Sequence, residues 1–115
     1  MAYIIKARLT IAAIDYYKNV TEYSPVPQTA TNIVLCNTGT VTANVTLSFT
    51  RQDGDISMGY ILFQTPLAAN SFLELKNRMV NPDTIIKAYA SVDNVVVFSC
   101  DVINDDGEYL DPNLS

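Results

Sequence analysis

Histidine is missing from this chain altogether. Its absence removes the commonest general base, the Ser-His and Cys-His pairs of nucleophilic catalysis, and the usual zinc and copper ligand sets. Glycine occurs only 4 times, which leaves little room for a phosphate-cradling loop. The 2 cysteines, Cys36 and Cys100, lie far apart in sequence and are too few for a disulfide framework. Charge is scarce as well. Lys, Arg, Asp and Glu make up 17% of the residues, fewer than an ordinary soluble surface carries, so part of the surface is expected to be covered by partners. The balance, 7 basic against 12 acidic residues, argues against binding nucleic acid, where affinity rests on neutralising phosphates. No apolar run approaches the roughly 18 to 20 residues of a membrane-spanning helix, and no membrane association is expected. Lys6 and Arg8 interrupt the opening "MAYIIKARLT", so no signal peptide is expected there and the chain is read as unexported by that route.

What the chain does have is alternation. In "YIIKARLTI", Tyr3, Ile5, Ala7, Leu9 and Ile11 fall on one side and Lys6, Arg8 and Thr10 on the other, the period of a half-buried strand. "NVTLSFT" repeats it, with Val45, Leu47 and Phe49 inward and Asn44, Thr46, Ser48 and Thr50 outward. Further β-rich runs cover 14–23, 31–37, 59–67, 71–77, 84–91 and 94–103, separated by "SPVP", "NTGT", "RQDGDIS", "AAN", "NPD" and "VDN", clusters rich in turn residues. The nearest thing to a helical pattern, "PLAANSFLELKNRMV", is broken by Pro66 and its asparagines. About eight regularly spaced strands predict one all-β domain over residues 1–103, a β-sandwich, jelly roll or small barrel, of which an antiparallel, jelly-roll-like β-sandwich is the expectation taken forward. Residues 104–115 form an acidic C-terminal tail that includes Asp105, Asp106, Glu108 and Asp111. Within the sandwich, "IVLC", "NTGTV" and "ANVTLSF" read as a hairpin, with Gly39 free to take a positive φ at its turn.

Candidate chemistry is thin. Cys36 offers a nucleophile or ligand, but a buried apolar thiol is the commoner state, and Cys100 follows Val96 and Phe98 on one alternation face. The acids of Asp53-Gly54-Asp55 and Asp105-Asp106-Gly107-Glu108 lack an apolar pocket nearby in sequence to raise a carboxyl pKa for glycoside hydrolysis. They also lack the spacing of a calcium loop, and read as exposed turns. Asn19, Asn44 and Asn113 head N-x-Ser/Thr triplets, which are expected to be accidental matches since no export by the signal-peptide route is expected. Of the 7 tyrosines, Tyr3, Tyr16, Tyr17, Tyr23 and Tyr60 precede residue 61 and suit either a subunit contact or an aromatic platform for sugar. No catalytic residue, cofactor or metal is expected.

In order along the chain, "VP" at 26–27, "TATNIVLCNTGTVTANVTLSF", "ILFQTPLAANSFLELKN", "NPDTIIKAYAS" and "VVVFSCDVI" resemble the strand-and-turn phrases of a class of small bacteriophage virion proteins. The likeness covers about two thirds of the chain, from about residue 25 to 103; "AIDYYKNVTEYSP" departs from it. What the resemblance implies is a β-sandwich or jelly-roll module in the virion, assembled in the host cytoplasm. Such a module is most simply a capsid decoration or cement protein that binds the major capsid protein or another virion protein as a homo-oligomer, a trimer above all. The alternative is a receptor- or carbohydrate-binding module of a neck or tail fibre, using Tyr16, Tyr17 and the 51–57 loop. Partner contacts are expected from segment 1–24 and from Tyr3, Tyr16, Tyr17, Tyr23, Tyr60, Asp105, Asp106 and Glu108.

Overall fold

The computed structural model describes residues 2–18, 28–51, 59–80 and 83–104. Among the described residues nine strands follow one another: β1 (Ala2–Arg8), β2 (Ile14–Lys18), β3 (Gln28–Asn37), β4 (Ala43–Arg51), β5 (Tyr60–Leu67), β6 (Phe72–Leu75), β7 (Arg78–Val80), β8 (Thr84–Ala90) and β9 (Val96–Asn104). They form two antiparallel sheets, ordered β1-β9-β3-β6, with β7 also beside β3, and β2-β8-β4-β5. β6 and β7 occupy one lane along β3, separated at Asn77, so nine strands fill the eight places the sequence predicts.

The pairing has a simple logic. β1 pairs β9, β2 pairs β8, β3 pairs β6 and β7, and β4 pairs β5, so each strand meets its counterpart from the other end of the chain. This is an antiparallel ribbon with the β4–β5 hairpin at its tip. Rolling the ribbon up brings β9 against β3 and β8 against β4, which completes both sheets and gives the jelly roll. Alternate residues of the two inner faces meet in one core that includes Ile5, Leu9, Ile33, Leu35, Val45, Leu47, Ile86, Ala88, Phe98 and Val102.

Three expectations about the strands and turns fail, each for a physical reason. The stretch "IVLCNTGTVTANVTLSFT" is not a hairpin, because β3 and β4 belong to different sheets. The chain turns a corner there, and the corner is built on Asn37. This side chain is fully buried; its Nδ2 donates to Val41 O and Leu67 O, both at 2.9 Å, and its Oδ1 accepts the Gly39 N–H at 2.9 Å. Its backbone N–H bonds Ser71 O, and Asn70 N–H bonds its carbonyl. One amide thus ties together the ends of β3 and β5 and the chain leading into β4. Gly39 does not take a positive φ; that conformation falls to Asn32, Gln64, Asn70, Asn77, Asp83 and Asn94. Five of these are Asn or Asp, whose short polar side chains tolerate the left-handed region.

Second, Thr46, Ser48 and Thr50, read as the wet face of β4, are buried. β5 bulges against β4 at this point, and Thr46 Oγ1 accepts the Gln64 N–H at 3.1 Å. Ser48 and Thr50 are also partnered. Third, Ile11 does not join the core. β1 ends at Arg8, Leu9 is the last inward residue, and Asp93 Oδ1 accepts the Ile11 N–H as the chain turns away, leaving Ile11 exposed.

Candidate functional site

β1 and β2 are edge strands, one from each sheet, on the same side of the sandwich. β2 carries a bulge between Asp15 and Tyr17. That bulge breaks the alternation, so successive tyrosines serve neighbouring places rather than opposite faces. Tyr16 turns edge-on to the core residue Phe98, centroids 5.8 Å apart at 71°. Tyr17 stacks on Tyr3 of β1 at 4.9 Å and donates its hydroxyl to Gln28 Oε1 at 2.8 Å. Tyr3, Asp15, Tyr16, Tyr17 and Lys18 line an open cleft of about 440 Å³. Asp15 also pairs across the sheet with Lys87 at 3.3 Å.

The structure therefore brings together Tyr3, Tyr16 and Tyr17 from the predicted contact set. Tyr60 is on β5, at the opposite edge of the second sheet, and stacks on Phe63 at 4.6 Å. Tyr23, Asp105, Asp106 and Glu108 lie outside the described residues, as do residues 52–57 of the expected sugar-binding loop, Asp53 and Asp55 among them, and the tail beyond Asn104. Sequence reading passed over Asp15, Lys18 and Gln28; two of them adjoin the tyrosines on β2, which was signal enough for those two. Among the described residues no group of three His, Cys, Asp or Glu side chains could hold a metal ion, and no helix is long and apolar enough to cross a membrane.

Tyr16 Oη is buried with no hydrogen-bond partner among the described residues, and burial raises its pKa above the usual phenol value. An unpaired buried hydroxyl costs stability without returning any. The Tyr16→Phe variant, which keeps the ring against Phe98, is expected to be up to about 1 kcal/mol more stable, read as a higher urea midpoint at unchanged slope.

A second surface is the outer face of the first sheet. The register places Arg8, Val97, Cys36 and Phe72 in one row, Lys6, Ser99, Val34 and Glu74 in the next, then Ile4, Asp101 and Thr31, and finally Ile103, Thr29 and Met79. Phe72 is 67% exposed and Ile4 66%, with Met79 and Ile103 also open to solvent. These apolar side chains share the face with Arg8, Lys6, Glu74 and Asp101, the mixed character common to interfaces between proteins.

The two cysteines separate cleanly. Cys36 sits half-exposed on this outer face, contrary to the buried thiol expected, whereas Cys100 is buried and bears that expectation out. Burial, with a smaller contribution from the Asp101 carboxylate, pushes the Cys100 pKa up from 9.0 to about 12. Native protein at pH 8 is expected to take up one equivalent of a maleimide quickly, at Cys36, and the second only on unfolding. Because folding holds Cys100 protonated, its contribution to stability is full below pH 9 and declines as pH rises from 9 towards 12, where the unfolded thiol has ionised and the folded one has not. Denaturant midpoints across that range check the sign.

No protein-family model matches this chain, and neither a curated protein nor a solved structure matches it.

Proposed function

We propose that this protein is a structural component of a bacteriophage virion, a capsid decoration or cement protein that binds the major capsid protein as a homo-oligomer. The observation that carries the reading is the outer face of the first sheet, where among the described residues Ile4, Phe72, Met79 and Ile103 are open to solvent around a half-exposed Val34, Cys36 and Val97. A jelly roll with such a face is suited to a role that consists of covering another surface. The resemblance of the strand-and-turn phrases to small virion proteins supplies the partner: the shell, bridged between neighbouring subunits and held against the pressure of packaged DNA.

The cleft of Tyr3, Tyr16 and Tyr17 supports the second reading, a carbohydrate- or receptor-binding module of a neck or tail fibre, since aromatic rings beside Asp15 and Lys18 suit a sugar. Mixing the purified protein with emptied phage heads separates the two. Co-sedimentation that saturates at a fixed ratio to the major capsid protein, and that falls when Phe72 and Met79 are changed to serine, is the expected result. Retention on host cell-surface glycans without head binding would replace the first reading by the second.

A further inference from the structure

The four lateral edges of the two sheets are not alike. β2 is five residues long and bulged. β5 is doubly bulged against β4 and carries Gln64 at φ 48 and Pro66. The far edge of the first sheet is cut into β6 and β7 at Asn77, φ 40. Each of these devices discourages a further strand from pairing. β1 has none of them: it runs from Ala2 to Arg8 in unbroken one-to-one register with β9, without proline or bulge, and among the described residues nothing pairs with its free side.

We propose that β1 is the edge through which two copies of this chain pair, antiparallel about a two-fold axis at Ile5, joining their first sheets into one continuous sheet. The register follows from the backbone. Leu9 N–H donates to Val96 O, in step with the β1–β9 ladder, so Tyr3, Ile5 and Ala7 turn their polar groups towards β9 and Ala2, Ile4, Lys6 and Arg8 turn theirs outward. Ile5 is the midpoint of the strand. A two-fold axis there pairs the strand over its full length and sets Ile4 against the partner's Lys6 and Ala2 against the partner's Arg8 as the hydrogen-bonded pairs. Core-facing residues stay on the core side, with the half-exposed Tyr3 over the partner's small Ala7.

Charge selects the same register. Centring the axis on Lys6 would set that lysine against its own copy, whereas centring it on Ile5 places the partner's Lys6 beside Ile4, whose other neighbour in the row is Asp101. Lys6 thus guards the edge against unspecific strands and finds Asp101 in its row when the correct one pairs, while Arg8 keeps its bond to Asn94 O within its own chain. The cleft of Tyr3, Tyr16 and Tyr17 lies on the same side of the sandwich and meets its copy across the axis.

This deepens the homo-oligomer of the proposed function, but its test uses the isolated protein without heads, so either can fail alone. Light scattering on a size-exclusion column is expected to give twice 12.7 kDa. Ile4→Pro removes an outward N–H and leaves the β9 ladder intact, so it should give a folded monomer whose thermal unfolding matches that of the wild type diluted until it dissociates. Lys6→Asp should weaken the dimer about tenfold, and adding Asp101→Lys should restore it. A monomer at every concentration, the trimer expected from the resemblance, or a dimer indifferent to Ile4→Pro and Lys6→Asp would each overturn the proposal.

Discussion

Replacing Asn37 with alanine is expected to lower stability by about 3 kcal/mol, a large fraction of the roughly 5 to 15 kcal/mol by which such a domain is stable. The substitution removes almost no apolar surface, so a transfer argument would predict little. The loss comes from the groups left behind. Without Nδ2, the carbonyls of Leu67 and Val41 lose a donor, and without Oδ1 the Gly39 N–H loses its acceptor, in a place where the side chain had no exposure at all. Each orphaned buried group costs about 1 to 3 kcal/mol, reduced where relaxation admits water. Asn37→Asp should be no milder, since it trades the two donors for a charge in the same burial. Urea unfolding followed by circular dichroism measures both; a loss below about 1 kcal/mol for Asn37→Ala would mean that the corner stands without its amide.

Gly59→Ala should cost a similar amount, about 3 kcal/mol, by a different mechanism. A Cβ at this position runs into the carbonyl oxygen of Phe49, and it also lies 2.7 Å from Phe49 C and 3.0 Å from Thr50 Cα. All three are backbone atoms of a central strand and cannot swing aside. The start of β5 must lift off β4, and the buried hydroxyls of Ser48 and Thr50 lose their setting. Gly39 provides the control: an added Cβ there meets side-chain atoms only, Val95 Cβ and Cγ1 at 3.1 Å and Asn37 Oδ1 at 3.2 Å. Gly39→Ala should therefore cost less than about 1 kcal/mol. The ranking of the two melting temperatures decides the matter.

These two sites also show where sequence reading reaches its limit. The strands themselves were legible, because a half-buried strand writes its own period: "YIIKARLTI" and "SVDNVVVFSCDVI" carry the inward residues Ile5, Leu9, Phe98 and Cys100 on the expected parity. The turns at Asn70, Asp83 and Asn94 were marked by their residue types. Partnership was not legible. Nothing in "LCNTGTV" distinguishes a hairpin turn from a corner between sheets, since both need a polar turn; the distinction lies in Leu67 and Ser71, some thirty residues on, which complete the Asn37 network. The wet-looking threonines of β4 were misread because alternation reports polarity, and a hydroxyl that finds an acceptor or donor can be buried as readily as a methyl group. At the cleft, the composition pointed to tyrosines as a group, but the β2 bulge and the strand order together decide that Tyr16 and Tyr17 gather with Tyr3, and the strand order alone sends Tyr60 to the far edge.

The position of β9 governs how the chain can acquire its structure in time. Made after every other described strand, it is nevertheless not an edge: it lies between β1 and β3, and it brings Val96, Phe98, Cys100 and Val102 to the centre of the core. Until it is in place, β1 and β3 have no common neighbour and their inward faces lack the side chains that cover them. Only the β4–β5 hairpin at the ribbon's tip can form from nearby residues; the pairing of β1 with β9 must close almost the whole chain. Folding of this protein should therefore be slow, all-or-none and completed only after synthesis has passed residue 104, and until then the unfinished chain offers its unpaired strand segments to chaperones or neighbouring chains.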